Sequence, residues 1–474
     1  YENPRCPSLN FKEFDGSDED DSDIADRRHE MCLGGEGYIQ DELYAFDYQR
    51  LTPFREYTES RREELSEYKG FSARLEPTGT SFANNNYALV SLTINNGVAV
   101  VYLGDRYHEA SIEGIVCLGV KNMLEEGNAF DGSMKDGGAY PENWPVFALY
   151  QPRKVLAVPS DDDEILFMTA NGGAFSVDDV IQVQDINLDP GRFNIPEREI
   201  TPEKLQKASA IGELRVIKSQ GRWSTGEIFR YNERDRDEPG HDGASVARSG
   251  GSTLTERLAD KAWRIDETDT FYEKLYMPGA RSVSLWKLSL SPLMDLPTTK
   301  ARSRFAFELS QLWDTGNMFE TISDHHDEML ALTNAAKMFD DQSTGFGPAP
   351  TDIVTGYAYG MKVAVVSVTG GNYLAVMNID EIDAPEPAFI LSSAGGLEHE
   401  SPDSREGTGS ARKEDYNDYT AIFGETGPKK LVFVSEKDSP TGCAQVLATN
   451  AGTKSIAVYQ LGLVGMECGD KYAH

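Results

Sequence analysis

Residues 431–461, Leu431-Val-Phe-Val-Ser-Glu-Lys-Asp-Ser-Pro-Thr-Gly-Cys-Ala-Gln-Val-Leu-Ala-Thr-Asn-Ala-Gly-Thr-Lys-Ser-Ile-Ala-Val-Tyr-Gln-Leu461, decide the fold class. Three short β-favouring runs, 431–434, 445–449 and 455–461, are separated by turn chemistry at Asp438-Ser-Pro-Thr-Gly442 and Asn450-Ala-Gly452. Such a meander persists in water only when its apolar face is covered. The design recurs upstream. Runs 87–94 and 98–103 flank Asn95-Asn96-Gly97, an Asn-Gly turn whose positive φ suits the twist of a hairpin. Runs 362–368 and 372–379 flank Thr369-Gly370-Gly371, and runs 165–170 and 174–177 flank Asn171-Gly172-Gly173. Repeated antiparallel meanders of this size predict an all-β chain folded as a β-propeller.

Composition fits that reading. Only 39% of the 474 residues are hydrophobic and 43 are glycine, which suits short strands joined by tight turns. The 78 acids against 45 bases give a formal charge of −33, which repels nucleic acid and anionic membrane and favours cations or basic partners. There is no membrane-spanning run of 18 apolar residues. The first residue is Tyr1 rather than Met, which is the expectation for a mature, exported form. Five cysteines suggest two pairs, Cys6 with Cys32 and Cys443 with Cys468, leaving Cys117 free; five reduced, buried thiols are the alternative. No Asn-x-Ser/Thr acceptor for N-glycosylation occurs.

In chain order, residues 1–36 form an acidic N-terminal arm, 37–465 the propeller and 466–474 a tail. Within the arm, Asp15, Asp18 and Asp20 are the residues that suggest a calcium loop. Counted from Asp18, however, Asp23 stands where an EF-hand needs glycine and His29 where it needs glutamate. A solvated acidic loop is the plainer reading. Residues 200–212 suggest a short helix capped by Thr201 with Pro202 at its first position. Residues 219–270 and 393–420 read as polar insertions, the first with a helix over 254–263. A further helix is expected over 325–339; its adjacent His325 and His326 point in different directions and do not share a metal. No Gly-x-Ser-x-Gly nucleophile elbow is present.

A series of eight motifs then carries a resemblance: Tyr150-Gln-Pro152, Thr169-Ala-Asn-Gly-Gly173, Asp185-Ile-Asn-Leu-Asp-Pro-Gly-Arg-Phe193, Ile211-Gly-Glu-Leu-Arg215, Gly279-Ala-Arg-Ser-Val-Ser-Leu-Trp286, Leu312-Trp-Asp-Thr-Gly-Asn-Met-Phe-Glu320, Gly347-Pro-Ala-Pro350 and Val432-Phe-Val-Ser-Glu-Lys-Asp-Ser-Pro-Thr-Gly442. In this order, over about residues 85–461, they resemble the choice-of-anchor I family. That group takes in secreted bacterial proteins, some labelled alkaline phosphatase or phytase-like, and mesenchyme-specific cell-surface glycoproteins. The resemblance implies a seven-bladed propeller, exported and often anchored at a cell surface.

The resemblance also implies an axial site where carboxylates from several blades hold divalent cations. In this chain those positions are neutral: Asn171, Gly172 and Ala174 in one loop, Ala349 in a second, Asn450 and Ala451 in a third. Asp235 and Asp237 occupy another acidic stretch of the pattern, but Arg234 and Arg236 interrupt it, so surface pairing competes with calcium binding. Arg281 and Trp286 read as braces of a strand rather than as substrate contacts. The expectation is therefore a secreted structural or interaction module, with other extracellular proteins or copies of itself as partners and calcium as its only candidate ion. A calcium-dependent phosphoesterase and a mineral- or glycan-binding matrix protein are the alternatives.

Overall fold

The computed structural model describes residues 75–83, 86–104, 110–136, 140–158, 164–175, 180–218, 221–224, 270–292, 305–325, 344–382, 386–391 and 427–462. They are all-β, with seven sheets and two short α-helices among the described residues. In chain order the strands are β1 (Pro77–Phe82), β2 (Tyr87–Leu92), β3 (Gly97–Tyr102), β4 (Ser111–Cys117), β5 (Val120–Asn122), β6 (Phe147–Leu149), β7 (Lys154–Val158), β8 (Ile165–Ala170), β9 (Val180–Gln182), β10 (Asn187–Leu188), β11 (Arg215–Ile217) and β12 (Arg222–Ser224). There follow β13 (Thr270–Tyr272), β14 (Tyr276–Pro278), β15 (Val283–Pro292), β16 (Phe305–Asp314), β17 (Pro350–Ala358), β18 (Met361–Val368), β19 (Tyr373–Asn378), β20 (Glu386–Leu391), β21 (Pro428–Val434), β22 (Gln445–Asn450) and β23 (Ser455–Gln460). The helices are α1 (Pro202–Leu205) and α2 (Met318–His325).

Three sheets are sequential antiparallel meanders: β1-β2-β3-β4, β17-β18-β19-β20 and β21-β22-β23. A fourth, β7-β8-β15-β16, is assembled from two distant segments, with Ala170 of β8 opposite Val283 of β15. Smaller sheets lie in between, and two of them contain a parallel pair, β6 with β14 and β10 with β13. β7 lies against β1 and β2 on one side and β17 on the other, and β17 lies against β21. Four sheets thus follow one another through their first strands.

This stacking explains the sequence pattern. In β18, Ala364, Val366 and Val368 join the core shared with Met168, Ala170, Val283 and Leu285. Val363 and Val365 face the opposite core, with Leu431, Val446 and Ala448. A strand buried on both sides reads as an unbroken apolar run instead of an alternation. The β21 sheet shows the contrast: its inward residues are buried, but Val432, Ile456 and Val458 are 58–69% exposed.

Two junctions between neighbouring sheets share one device. β7 and β21 are entered through Gln151-Pro152 and Gly427-Pro428, and the residue before each proline is left-handed, with φ 45° at Gln151 and 67° at Gly427. The preceding sheet clamps that dipeptide at two points. Thr93, just after β2, donates its hydroxyl to the Pro152 carbonyl at 2.7 Å, and Asn96 Oδ1 accepts the Gln151 N–H at 2.9 Å. One pair of sheets further on, Thr369 donates to the Pro428 carbonyl at 2.6 Å and Asn372 Oδ1 accepts the Gly427 N–H at 2.8 Å. Both asparagines close the hairpin loop in the left-handed region, with φ 56° and 58°. A second threonine supports each clamp: Thr78 reaches Thr93 at 2.5 Å and Thr351 reaches Thr369 at 2.6 Å.

Several expectations are corrected by this geometry. The first hairpin ends β2 at Leu92, two residues early, because Thr93 and Asn96 are drawn into the clamp and Asn96 also donates to the Gly119 carbonyl at 2.7 Å. Residues 171–173 are not a hairpin turn and 174–175 are not a strand: β8 pairs with β7 and β15, and the Asn171 N–H continues toward Ser282 at 2.9 Å. The helix after Thr201 stops at Leu205, although Thr201 caps it as expected by accepting the Lys204 N–H at 3.2 Å. The later helix spans Met318–His325, earlier than expected, and residues 326–339 lie outside the described residues. So do the expected helix over 254–263 and insertion 393–420. Of insertion 219–270 the described residues are 221–224 and 270, with Ser224 of β12 opposite Thr270 of β13.

The double-sided core predicts a sharp contrast between two apolar positions. Leu374→Ala, fully buried between two sheets, is expected to lower unfolding free energy by about 2–5 kcal/mol. Ile456→Ser, on the open face of β23, is expected to change it by less than about 0.5 kcal/mol in the same denaturant titration.

Candidate functional site

At one junction the clamp is incomplete. β17 is entered through Ala349-Pro350, with Ala349 left-handed at φ 51°. The facing loop, Asn171-Gly172-Gly173-Ala174, has the spacing of Thr369-Gly370-Gly371-Asn372, but Asn171 replaces the threonine and Ala174 the asparagine. Backbone contact replaces the side-chain clamp. A Cβ on Gly172 would sit 2.3 Å from the Pro350 carbonyl oxygen, and one on Gly173, at φ 70°, would sit 2.5 Å from Gly279 Cα. Only glycine permits such an approach.

Asn171 turns inward instead. Its amide Nδ2 donates to the hydroxyls of Ser284 at 2.7 Å and Ser282 at 3.3 Å. Both hydroxyls donate onward to Asp314 Oδ2, at 2.6 and 2.7 Å, which fixes them as acceptors from the amide. Asp314 Oδ1 then meets Lys121 Nζ at 2.9 Å, and that ammonium donates also to the Gly316 carbonyl at 2.8 Å. The Lys121 side chain is 4% exposed. A buried ion pair of this kind holds only because hydrogen bonds occupy its remaining positions, and removing one partner strands the other charge. The Ser-x-Ser spacing is the strand period that puts both hydroxyls on one face.

A second buried cation locks the opposite side. Arg281, left-handed at φ 55° and buried, donates to Glu320 Oε1 of α2 at 2.9 Å, to the Asp131 carbonyl at 2.8 Å and to the Gly345 carbonyl at 3.2 Å. Its guanidinium covers the Phe130 ring at 4.9 Å. Trp286 donates Nε1 to Thr169 at 2.8 Å and meets Tyr150 edge-on. At the rim, partly buried Arg153 donates Nε to the Gly173 carbonyl at 2.5 Å, and burial pulls its pKa below the usual arginine value.

Of the residues the sequence singled out, Asn171, Gly172, Ala174 and Ala349 meet here. Asn450 and Ala451 lie at the far end of β22, where the Ala451 N–H donates to the Gly427 carbonyl at 2.8 Å. Asp15, Asp18, Asp20, Asp235, Asp237, Cys6, Cys32 and Cys468 lie outside the described residues. Among the described residues no three His, Cys, Asp or Glu side chains come together in a metal-holding group. The acids at the crossroads, Asp314 and Glu320, are each paired with a buried cation. Sequence reasoning missed Lys121, Asp314, Ser282 and Ser284, although the Ser-x-Ser spacing inside a predicted strand signals a shared polar face.

The family model of the choice-of-anchor I domain matches residues 49–234 and 240–382, well over half of the chain. No curated protein matches it.

Two substitutions separate the roles of backbone approach and buried charge. Gly172→Ala is expected to cost about 1–3 kcal/mol, because the new methyl overlaps the Pro350 carbonyl. Asp314→Ala, which strands Lys121, is expected to cost about 3–5 kcal/mol. Lys287→Ala, which removes a half-exposed pair with Glu164, serves as the control and should cost no more than about 1 kcal/mol by denaturant titration.

Proposed function

The chain belongs to the choice-of-anchor I family, and from that premise we propose that it is a secreted, non-catalytic structural or interaction module of a cell-surface or extracellular assembly. The observation that carries this reading is the use made of chemistry at the Asn171 crossroads. Its acids, amides and hydroxyls hold backbone and neutralise Lys121 and Arg281, which suits a scaffold. The family name itself describes a domain joined to alternative anchors, in keeping with a surface location. No helix among the described residues is long and apolar enough to cross a membrane.

The scaffold we propose is a seven-bladed β-propeller over residues 37–465, with an acidic arm before it and a short tail after it. Seven sheets among the described residues, and the succession of contacts from β1 through β7 and β17 to β21, support it. Insertions 219–270 and 393–420 would present surfaces to extracellular partners or further copies of this chain, with calcium on Asp15, Asp18, Asp20, Asp235 and Asp237. Two disulfides, Cys6–Cys32 and Cys443–Cys468, complete the proposal. Cys117 is the free thiol among the described residues, whereas Cys443 is not free.

Turnover of a chromogenic phosphate ester tests the non-catalytic part. We expect none above buffer with or without calcium; turnover abolished by chelation would make the chain a phosphoesterase. Fractionation of the source cells tests location, with the protein expected at the surface or in the medium and a purely internal pool contradicting it.

A further inference from the structure

We propose that Arg153, assisted by Arg215, is a receptor for the oxyanion of a small ligand at the rim of the Asn171 crossroads. The two arginines cap a four-layer ladder. Arg153 covers the Phe346 ring at 5.1 Å, Phe346 stacks on Phe175 at 4.5 Å, and Arg215 covers Phe175 at 5.6 Å. Four separate segments supply the layers, and the Arg215 N–H ties β11 to the Thr344 carbonyl at 3.1 Å, so the ladder is built into the backbone.

The charge at this place is out of keeping with the rest of the chain. Neither Arg153 nor Arg215 takes part in an ion pair among the described residues. Arg153 carries a desolvation cost that no carboxylate among the described residues offsets, and partly buried guanidinium groups are ordinarily paired. Its hydrogen bond to Gly173 engages Nε alone. The remaining Nη donors form the planar fork that binds two oxygens of a carboxylate, phosphate or sulfate, and Phe346 holds that plane in place. The loops beside it contribute Gly172, Gly173, Ala174 and Ala349, which bring no competing negative charge.

The ligand's size follows from the whole molecule. A net charge of −33 repels a long, uniformly charged polyanion, so a small molecule carrying one or two oxyanions fits, either a free anion or an acidic sugar. Two arginines at opposite ends of one ladder favour a ligand that reaches from the first to the second.

Isothermal titration of the full chain with inorganic phosphate, galacturonate and trigalacturonate tests this. We expect binding of at least one probe, at least tenfold weaker in Arg153→Gln and measurably weaker in Arg215→Gln. Arg153→Lys keeps the charge and the stem but lacks the fork, and should bind like Arg153→Gln while melting like the parent chain, which separates recognition from folding. Phosphate binding as well as the sugars assigns a free anion; trigalacturonate binding more tightly than galacturonate, with the gain lost in Arg215→Gln, assigns an acidic sugar chain reaching both arginines. Silence with all three probes, or affinities unchanged in both Arg153 variants, overturns the proposal and leaves Arg153 a brace for Phe346. The outcome is independent of whether the chain is catalytic or where it resides.

Discussion

The fold depends on a small polar clamp that recurs at two of the junctions between neighbouring sheets. A sheet edge is a row of polar groups, and two twisted sheets laid face to face have no intrinsic reason to keep one relative position. The clamp supplies it. A left-handed residue followed by proline turns the chain into the new sheet, and a threonine hydroxyl and an asparagine amide of the previous hairpin hold that dipeptide by its carbonyl and its N–H. Proline cannot donate, and the N–H before it has no ladder partner, so the clamp satisfies groups that would otherwise be buried without partners. Apolar residues on both faces of β18 then fill the space that the clamps define.

Where the clamp loses its threonine and asparagine, the protein solves the same problem differently. Glycine lets backbone meet backbone at Gly172 and Gly173, and the freed Asn171 joins a buried chain of hydrogen bonds ending at Lys121. Arg281 performs the matching task from the other side through Glu320. The same departure leaves the neutral residues Gly172, Gly173, Ala174 and Ala349 beside Arg153.

The sequence made the meanders legible because alternation and turn chemistry act locally: β2 with β3, β18 with β19, and β21 to β23 lie where residue patterns placed them. It failed at Asn171-Gly172-Gly173, whose letters suit a hairpin, because β8 pairs with β7 before it and with β15, more than a hundred residues after it, and no local signal encodes the second pairing. The clamp itself is written in the sequence. Pro77-Thr78 matches Pro350-Thr351 in type, and Ser91, Thr93 and Asn96 match Ser367, Thr369 and Asn372 in type and spacing. Of the candidate site, the neutral loop residues were legible, but the cations that occupy it, Lys121, Arg153 and Arg215, come from separate segments and are joined only by folding.

The clamp is tested most directly by three glycine substitutions at positions with the same backbone conformation. Asn96, Asn372 and Lys454 close equivalent hairpin loops at φ 56°, 58° and 57°, but only the asparagines reach the next sheet. Glycine accepts that conformation freely, so it removes the side chain without straining the loop. Denaturant titration should show Asn96→Gly and Asn372→Gly less stable by about 1–3 kcal/mol each, the range for leaving a buried N–H unpaired, and Lys454→Gly unchanged or slightly more stable. Three variants of equal stability would contradict the account.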